Sequence, residues 1–317
     1  MTTTLTIPVI DFAAFINGNE AQQQRVAQEI YEACHRIGFM YLKDLGISQE
    51  LIHRVFAQSQ HFFSLPTEVK NQVAWSDAVS NRGYVGIERE RLDETKPGDL
   101  KEAFNVGKEV GANELETNPA LTRNQWLAEE PDFKETVLEF YKASAAAADR
   151  VCQAFALALN TSASFFADKH SQHDYTLRLL HYPPVPQAPK PDQVRAGAHS
   201  DYGSLTLLFQ DAVGGLEVRT AQGEWINAPS IPGTVVVNTG DLMQRWTNHV
   251  FCSTKHRVRI PTDERVKRSR YSIALFCHPN YDTEIACLES CQGSERPPLY
   301  PPIKAGDYLM SRLQATY

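Results

Sequence analysis

Residues 196–209 read AGAHSDYGSLTLLF, a polar segment running into an apolar, strand-like one. His199 and Asp201 stand two apart, and on an extended chain residues i and i+2 project to the same face, so both side chains can reach one ion. The signal is weak by itself. With ten histidines in the chain, each having about a one-in-twenty chance of an Asp two positions on, roughly half a match arises by chance, so a surface polar pair is the competing reading.

Outward from this stretch, the chain beyond residue 174 keeps one texture: TLRLLHY, SLTLLFQD, GLEVRT, GEWINAP, GTVVVNTG, HRVRI and RYSIALF, separated by Gly, Pro, Asn and Asp. Many short β-branched and aromatic runs at this spacing predict a closed or sandwiched all-β core, with helices supplied by the first half. In that half, Glu20–Ile37 sets Val26, Ile30, Cys34 and Ile37 on one helical face. The segment GFMYLKDLG is strand-like, and Gln49–Phe63 resumes helical periodicity before Pro66. Residues 77–110, rich in Gly and charge, predict irregular structure with short strands that could lie over a site. Pro131 followed by Asp132 and Glu135 predicts a capped helix start and a long helix to about Leu159. No internal repeat or linker appears, so one functional unit is expected.

Further along, His256 in STKHRVRIP heads another strand-like run. Two imidazoles and a carboxylate on one side of a metal form the facial triad of non-haem iron(II), although zinc accepts similar ligands. His249 and His278 compete for the third place on spacing alone. Arg270 and Ser272 open the strand RYSIALF as a period-two pair, so a guanidinium and a hydroxyl share a face on which a carboxylate would fit. The competing reading is an exposed arginine in the basic stretch Lys267, Arg268, Arg270.

Composition excludes several function classes. The 317 residues are 42% hydrophobic and 22% charged, with net charge -7, which lacks the basic footprint that nucleic-acid phosphates demand. The start MTTTLTIPVIDF has no basic region followed by an apolar one, and no run approaches the roughly 18 apolar residues of a membrane span, so a soluble cytoplasmic protein is expected. Cysteines 34, 152, 252, 277, 287 and 291 lack paired CxxC spacing and predict buried reduced thiols.

Taken in order, IPVIDF, GFMYLKDLGI, FFSLP, HYPP, HSDYGSLTLL, GGLEV with GEWI, PGTVVVNTGDLMQRWTN, HRV and RYSIALFCHP resemble the isopenicillin N synthase-like, iron(II)- and 2-oxoglutarate-dependent oxygenases over nearly the whole chain. The resemblance implies a mixed α and β fold: a double-stranded β-helix, or jelly roll, flanked by helices, behind a helical N-terminal region. The implied layout is an N-terminal α/β region at 1–115, a long connecting helix within 116–170, the catalytic core at 171–280 and a C-terminal strand and helix at 281–317. It makes His199, Asp201 and His256 the Fe(II) ligands and Arg270 with Ser272 the clamp for the distal carboxylate of 2-oxoglutarate, with Tyr182 near that cosubstrate. Where many plant members carry Asn-Tyr-Tyr-Pro, this chain has Leu180-His181-Tyr182-Pro183.

The implied activity is a dioxygenase that hydroxylates a small-molecule metabolite with release of succinate and CO2, desaturation or cyclisation being the other outcomes. Retention of Asp201, where related halogenases have a small residue, argues against halogenation. An iron oxidase that dispenses with 2-oxoglutarate and a non-catalytic jelly-roll sensor are the alternatives. Substrate-facing candidates are Arg82 and Tyr84 in RGYVGIERERLD, Phe104 and Phe276 as apolar walls, Trp246 with Asn248 beside His256, and Arg312 in a C-terminal helix that closes the mouth. A monomer is the expected state.

Overall fold

Period-two alternation along the long strands sets the architecture. The computed structural model describes residues 6–75, 81–93, 95–111, 122–185 and 189–316. In β12 (Arg270–Cys277), Ile273, Leu275 and Cys277 enter one apolar cluster while Arg270, Ser272, Ala274 and Phe276 turn to the opposite face. The same division runs through β5 (Thr176–Tyr182), β7 (Leu205–Gln210) and β10 (Thr234–Thr239). A strand with one face against helices and the other around a cavity must alternate in this way.

The N-terminal half adds β1 (Val9–Asp11), β2 (Phe39–Lys43), β3 (Gly83–Val85) and β4 (Glu102–Val106) to these strands. Together they form an eight-stranded sheet in the order β1-β2-β10-β7-β12-β5-β4-β3. Facing it is a four-stranded sheet made of β6 (Ala196–His199), β11 (His256–Val258), β8 (Leu216–Arg219) and β9 (Trp225–Asn227), in that order. A hairpin-like pair, β13 (Glu284–Ile285) and β14 (Ile303–Lys304), lies apart. The two main sheets enclose a second apolar cluster that includes Phe39, Tyr41, Leu180, Leu216, Val218 and Val258. The fold is the jelly roll flanked by helices that the resemblance implied.

Helices cover the outer face of the large sheet. After the short α1 (Ala13–Asn17) comes α2 (Glu20–Arg36), with a capping box in which Asn19 accepts from Gln22 N and Gln22 reaches back. Its buried stripe, Val26, Ala27, Ile30, Ala33 and Cys34, follows the expected spacing. Then come α3 (Gln49–Ser64), α4 (Thr67–Lys70) and the 28-residue α5 (Pro131–Ala158), and both α2 and α3 pack on α5. Pro131 occupies the first turn, where a missing amide costs nothing; the N-cap is Glu130, without a side-chain bond, so the capping role expected of Asp132 is not realised. The chain continues through α6 (Phe165–Lys169), α7 (Asp241–Trp246) and α8 (Ala305–Thr316).

The expected boundary at 115/116 lies outside the described residues. All six cysteines are free thiols, four of them buried. Among the described residues, no helix is long and apolar enough to cross a membrane.

Candidate active site

Strand pairing assembles the metal-ligating cluster. β6 and β11 run antiparallel with His199 directly opposite His256, so two residues far apart in sequence become cross-strand neighbours with ring centroids 4.3 Å apart. Asp201, just beyond the end of β6, places Oδ1 3.9 Å from His199 Nε2 and 3.7 Å from His256 Nε2. All three donor atoms lie within 4.8 Å of one another, close enough to share one ion.

The hydrogen bonds behind these atoms fix which atoms can ligate. His199 Nδ1 lies 2.8 Å from Gly197 O and His256 Nδ1 lies 3.2 Å from Thr254 O. A carbonyl only accepts, so each Nδ1 donates, and each Nε2 is the ring nitrogen that faces Asp201. Thr206 Oγ1 donates to Asp201 Oδ2 at 2.6 Å and Asn238 Nδ2 donates to the same oxygen at 2.7 Å, which leaves Oδ1 for the ion. Burial drives the His199 imidazole down to about 3, with His256 adding to the effect, so it stands neutral at physiological pH. Burial alone would raise the Asp201 carboxyl, but His256, His199 and the bonds from Asn238 and Thr206 outweigh it and hold the group below its usual range. Two imidazole nitrogens beside a carboxylate make the donor set that a divalent transition metal takes.

The same cavity contains a buried guanidinium. Arg270 is 1% exposed, donates from Nη1 to Ser272 Oγ and from Nη2 to Gln210 Oε1, both at 3.1 Å, and sits 4.8 Å from the centroid of the Tyr182 ring. Tyr182 is its register partner across β5 and β12. Among the described residues no carboxylate pairs with Arg270, and its Nε has no partner, so an anion entering the cavity would supply the missing charge.

Away from Arg270, the cavity is lined by Asn81, Lys101, Asn105, Arg178, Tyr202, Phe276 and His278. Lys101 and Arg178 are held by carboxylates of the covering segment: Lys101 by Asp99 and Glu90, Arg178 by Glu90. Asp99 Oδ1 also accepts from Gly197 N at 3.0 Å, tying that segment to the strand that carries His199. Asn105 Nδ2 donates to Asn81 Oδ1 at 2.7 Å, whereas Asn105 Oδ1 is buried without a partner.

Comparison with known proteins adds the chemistry. A family model described as the 2OG-Fe(II) oxygenase superfamily matches residues 173–279, and one described as the non-haem dioxygenase in morphine synthesis N-terminal region matches residues 7–129. The 2-oxoglutarate-Fe(II) type oxidoreductase hxnY of Emericella nidulans is 35% identical over 98% of this chain and 90% of its own length. This chain belongs to the 2OG-Fe(II) oxygenase superfamily.

Solved structures agree with that placement. A full-length Neurospora crassa protein crystallised in complex with alpha-KG and thymine superposes with a TM-score of 0.90 at 38% identity, covering 100% of this chain and 99% of that one. A putative 2OG-Fe(II) oxygenase family protein from Caulobacter crescentus gives 0.87 at 35% identity over 98% and 99%. The oxygenase is therefore a dioxygenase that uses Fe(II) and 2-oxoglutarate; neither the oxidase without 2-oxoglutarate nor the non-catalytic sensor is favoured.

The structure separates the sequence-derived substrate candidates. Phe276 lines the oxygenase's cavity, and Arg312 in α8 sits 4.9 Å from the centroid of Tyr202, another lining residue. Phe104 does not line it: on β4 its parity points to the helices, where it packs with Phe62, Phe133 and Trp126. Tyr84, register partner of Phe104, shares that face and donates to Glu102, which also holds Lys70 and His181. Arg82 turns away so closely over Gly107 that a Cβ there would lie 2.1 Å from its Nη2; its neighbour Asn81 lines the cavity instead. Trp246 is buried against Phe165, Phe166 and His170. Asn248 donates to Cys291 O and Pro297 O and accepts from Leu299 N, fastening the C-terminal segment.

Sequence reading missed Thr206, Gln210, Asn238, Asn81, Asn105 and Arg178. A signal existed for Arg178, Thr206, Gln210 and Asn238: each is a polar side chain in a mostly apolar strand.

Proposed function

We propose that His199, Asp201 and His256 hold the iron, that Arg270, Ser272 and Tyr182 hold the distal end of 2-oxoglutarate, and that the enzyme hydroxylates a small planar heterocycle with ring N–H donors, of the pyrimidine-base kind. When bound, the metal and 2-oxoglutarate supply the oxidising chemistry: one oxygen atom of O2 goes to the succinate formed with CO2, the other to the substrate. The protein's own work is placement. Arg270 offers a two-pronged donor to one carboxylate, and Ser272 and Gln210 fix its plane.

The observation that carries the substrate reading is Asn105, a residue lining the cavity beside the Phe276 and Tyr202 rings, whose Oδ1 is a buried acceptor without a partner. A ring N–H would satisfy that acceptor, and aromatic faces suit a planar ring. The likeness to the Neurospora crassa protein crystallised with thymine supports the same class. A net charge of -7 supports a free small molecule, not a nucleic-acid strand, as the substrate. A cytoplasmic monomer without membrane or nucleic-acid partners completes the proposal.

The test supplies iron-loaded enzyme with 2-oxoglutarate and free pyrimidine bases, counting succinate and recording product mass. One succinate per base that gains one oxygen atom is expected. Decarboxylation stimulated only by non-heterocyclic compounds would overturn the substrate class. If Asp201→Ala and His256→Ala bound iron as the wild type does, while His278→Ala did not, the ligand set would be wrong.

A further inference from the structure

Arg195 immediately precedes β6 and is fully buried, yet among the described residues no carboxylate pairs with it. Its Nη2 crosses from the small sheet to the large one, donating to Pro183 O at 3.3 Å and to Arg268 O at 3.0 Å. Pro183 follows Tyr182 at the end of β5, and Arg268 lies two residues before Arg270 at the start of β12. Nε and Nη1 have no partner. The side chain thus spans the end of the β5–β12 ladder beside the Arg270–Tyr182 pair, and does so from the strand that ends in His199.

We infer that Arg195 is a positioning residue that fixes the separation between the metal-ligand strand and the cosubstrate clamp, and so sets the length of 2-oxo acid the site accepts. This rests on the assignment of Arg270 as the clamp. A leucine would fill the space without an unpaired buried charge, so a guanidinium with two orphaned nitrogens calls for a reason beyond packing. A planar group reaching two carbonyls on different strands ties both strands, at one end of their ladder, to a third. Burial, with the like charge of Arg270 next, pushes the Arg195 guanidinium down, as expected of a place where positive charge waits for an anion.

The test compares wild type with Arg195→Met and Arg195→Lys, loaded with Mn(II) without oxygen, by calorimetric titration with 2-oxoglutarate and with 2-oxoadipate, one methylene longer. Both variants are expected to lose about tenfold or more in 2-oxoglutarate affinity and several-fold in preference for 2-oxoglutarate over 2-oxoadipate, with Mn(II) affinity unchanged. Lys keeps the charge but not the two-carbonyl reach, so it should recover part of the affinity and none of the preference. Should Met fail to fold, the Lys variant carries the test. An unchanged preference, with affinity falling only as thermal stability falls, would reduce Arg195 to a structural role and overturn the inference. Failure of the clamp reading would show separately, as Arg270→Leu binding 2-oxoglutarate normally.

Discussion

Asn238 Nδ2 lies 2.7 Å from Asp201 Oδ2, so an uncharged side chain on β10 satisfies the carboxylate oxygen that turns away from the two imidazoles. Thr206 on β7 donates to the same oxygen. The two bonds leave Oδ1 as the free donor and hold it at a fixed angle. Asn238→Leu and Thr206→Val should each lower metal affinity about 10- to 100-fold, the range for groups that orient a ligand from behind. Chelator competition on the apo-protein measures it, and wild-type affinity in both variants would show that Asp201 needs neither donor.

Gln210 stands to Arg270 as Asn238 stands to Asp201, accepting from Nη2 at 3.1 Å. Gln210→Leu frees the guanidinium to rotate and removes a bond to a charged group, about 1.5–3 kcal/mol. The Kd for 2-oxoglutarate should rise roughly tenfold or more, with substrate affinity little changed. Titration under argon reads both, and a normal 2-oxoglutarate Kd would sink the prediction.

Phe104 and Phe276 were alike as sequence candidates and should now behave oppositely. Phe104→Ala opens a hole among Phe62, Phe133 and Trp126 and should cost about 3–5 kcal/mol of stability. Phe276→Ala removes a cavity wall and should raise KM for the prime substrate with a far smaller stability loss. Urea melts and steady-state kinetics on both variants check the pair; a destabilised Phe276→Ala with wild-type KM would contradict it.

His170 predicts an acid-side loss of stability. Its imidazole is fully buried, with Nδ1 2.7 Å from Phe166 O and Nε2 3.0 Å from Ser204 Oγ, and burial drives its pKa from 6.5 to about 4. The unfolded chain therefore binds a proton that the folded chain refuses between those values. Stability is unaffected by this group above pH 6.5, falls as pH drops below it, and approaches a loss of about 3 kcal/mol near pH 4. Unfolding followed by denaturant across pH 4 to 7.5 should show a shallower decline in His170→Gln than in wild type; parallel profiles would rule His170 out as the cause.

By itself the sequence determined whatever depends on near neighbours along the chain. Alternation in RYSIALF and SLTLLFQD set the strands and put Arg270 with Ser272 on one face; three- and four-residue spacing set α2 and α3, and Pro131 marked the start of α5. His199 and Asp201 share a face for the same local reason. The third member of the cluster was not decided locally, because His249 and His278 have comparable spacing; it is the register of β11 on β6 that sets His256 opposite His199.

Only the tertiary structure decided which face of a strand meets helices and which meets the cavity. Parity around β4 sends Phe104 and Tyr84 outward and Lys101 and Asn105 inward, and nothing within KEAFNV says which side is which until β5 and β12 are laid beside it. The same holds for Asn238, Gln210 and Arg195, whose partners lie on other strands. Hydrogen-bond partners set by sheet pairing are long-range in sequence, so local pattern can mark such residues as unusual but cannot say what they touch.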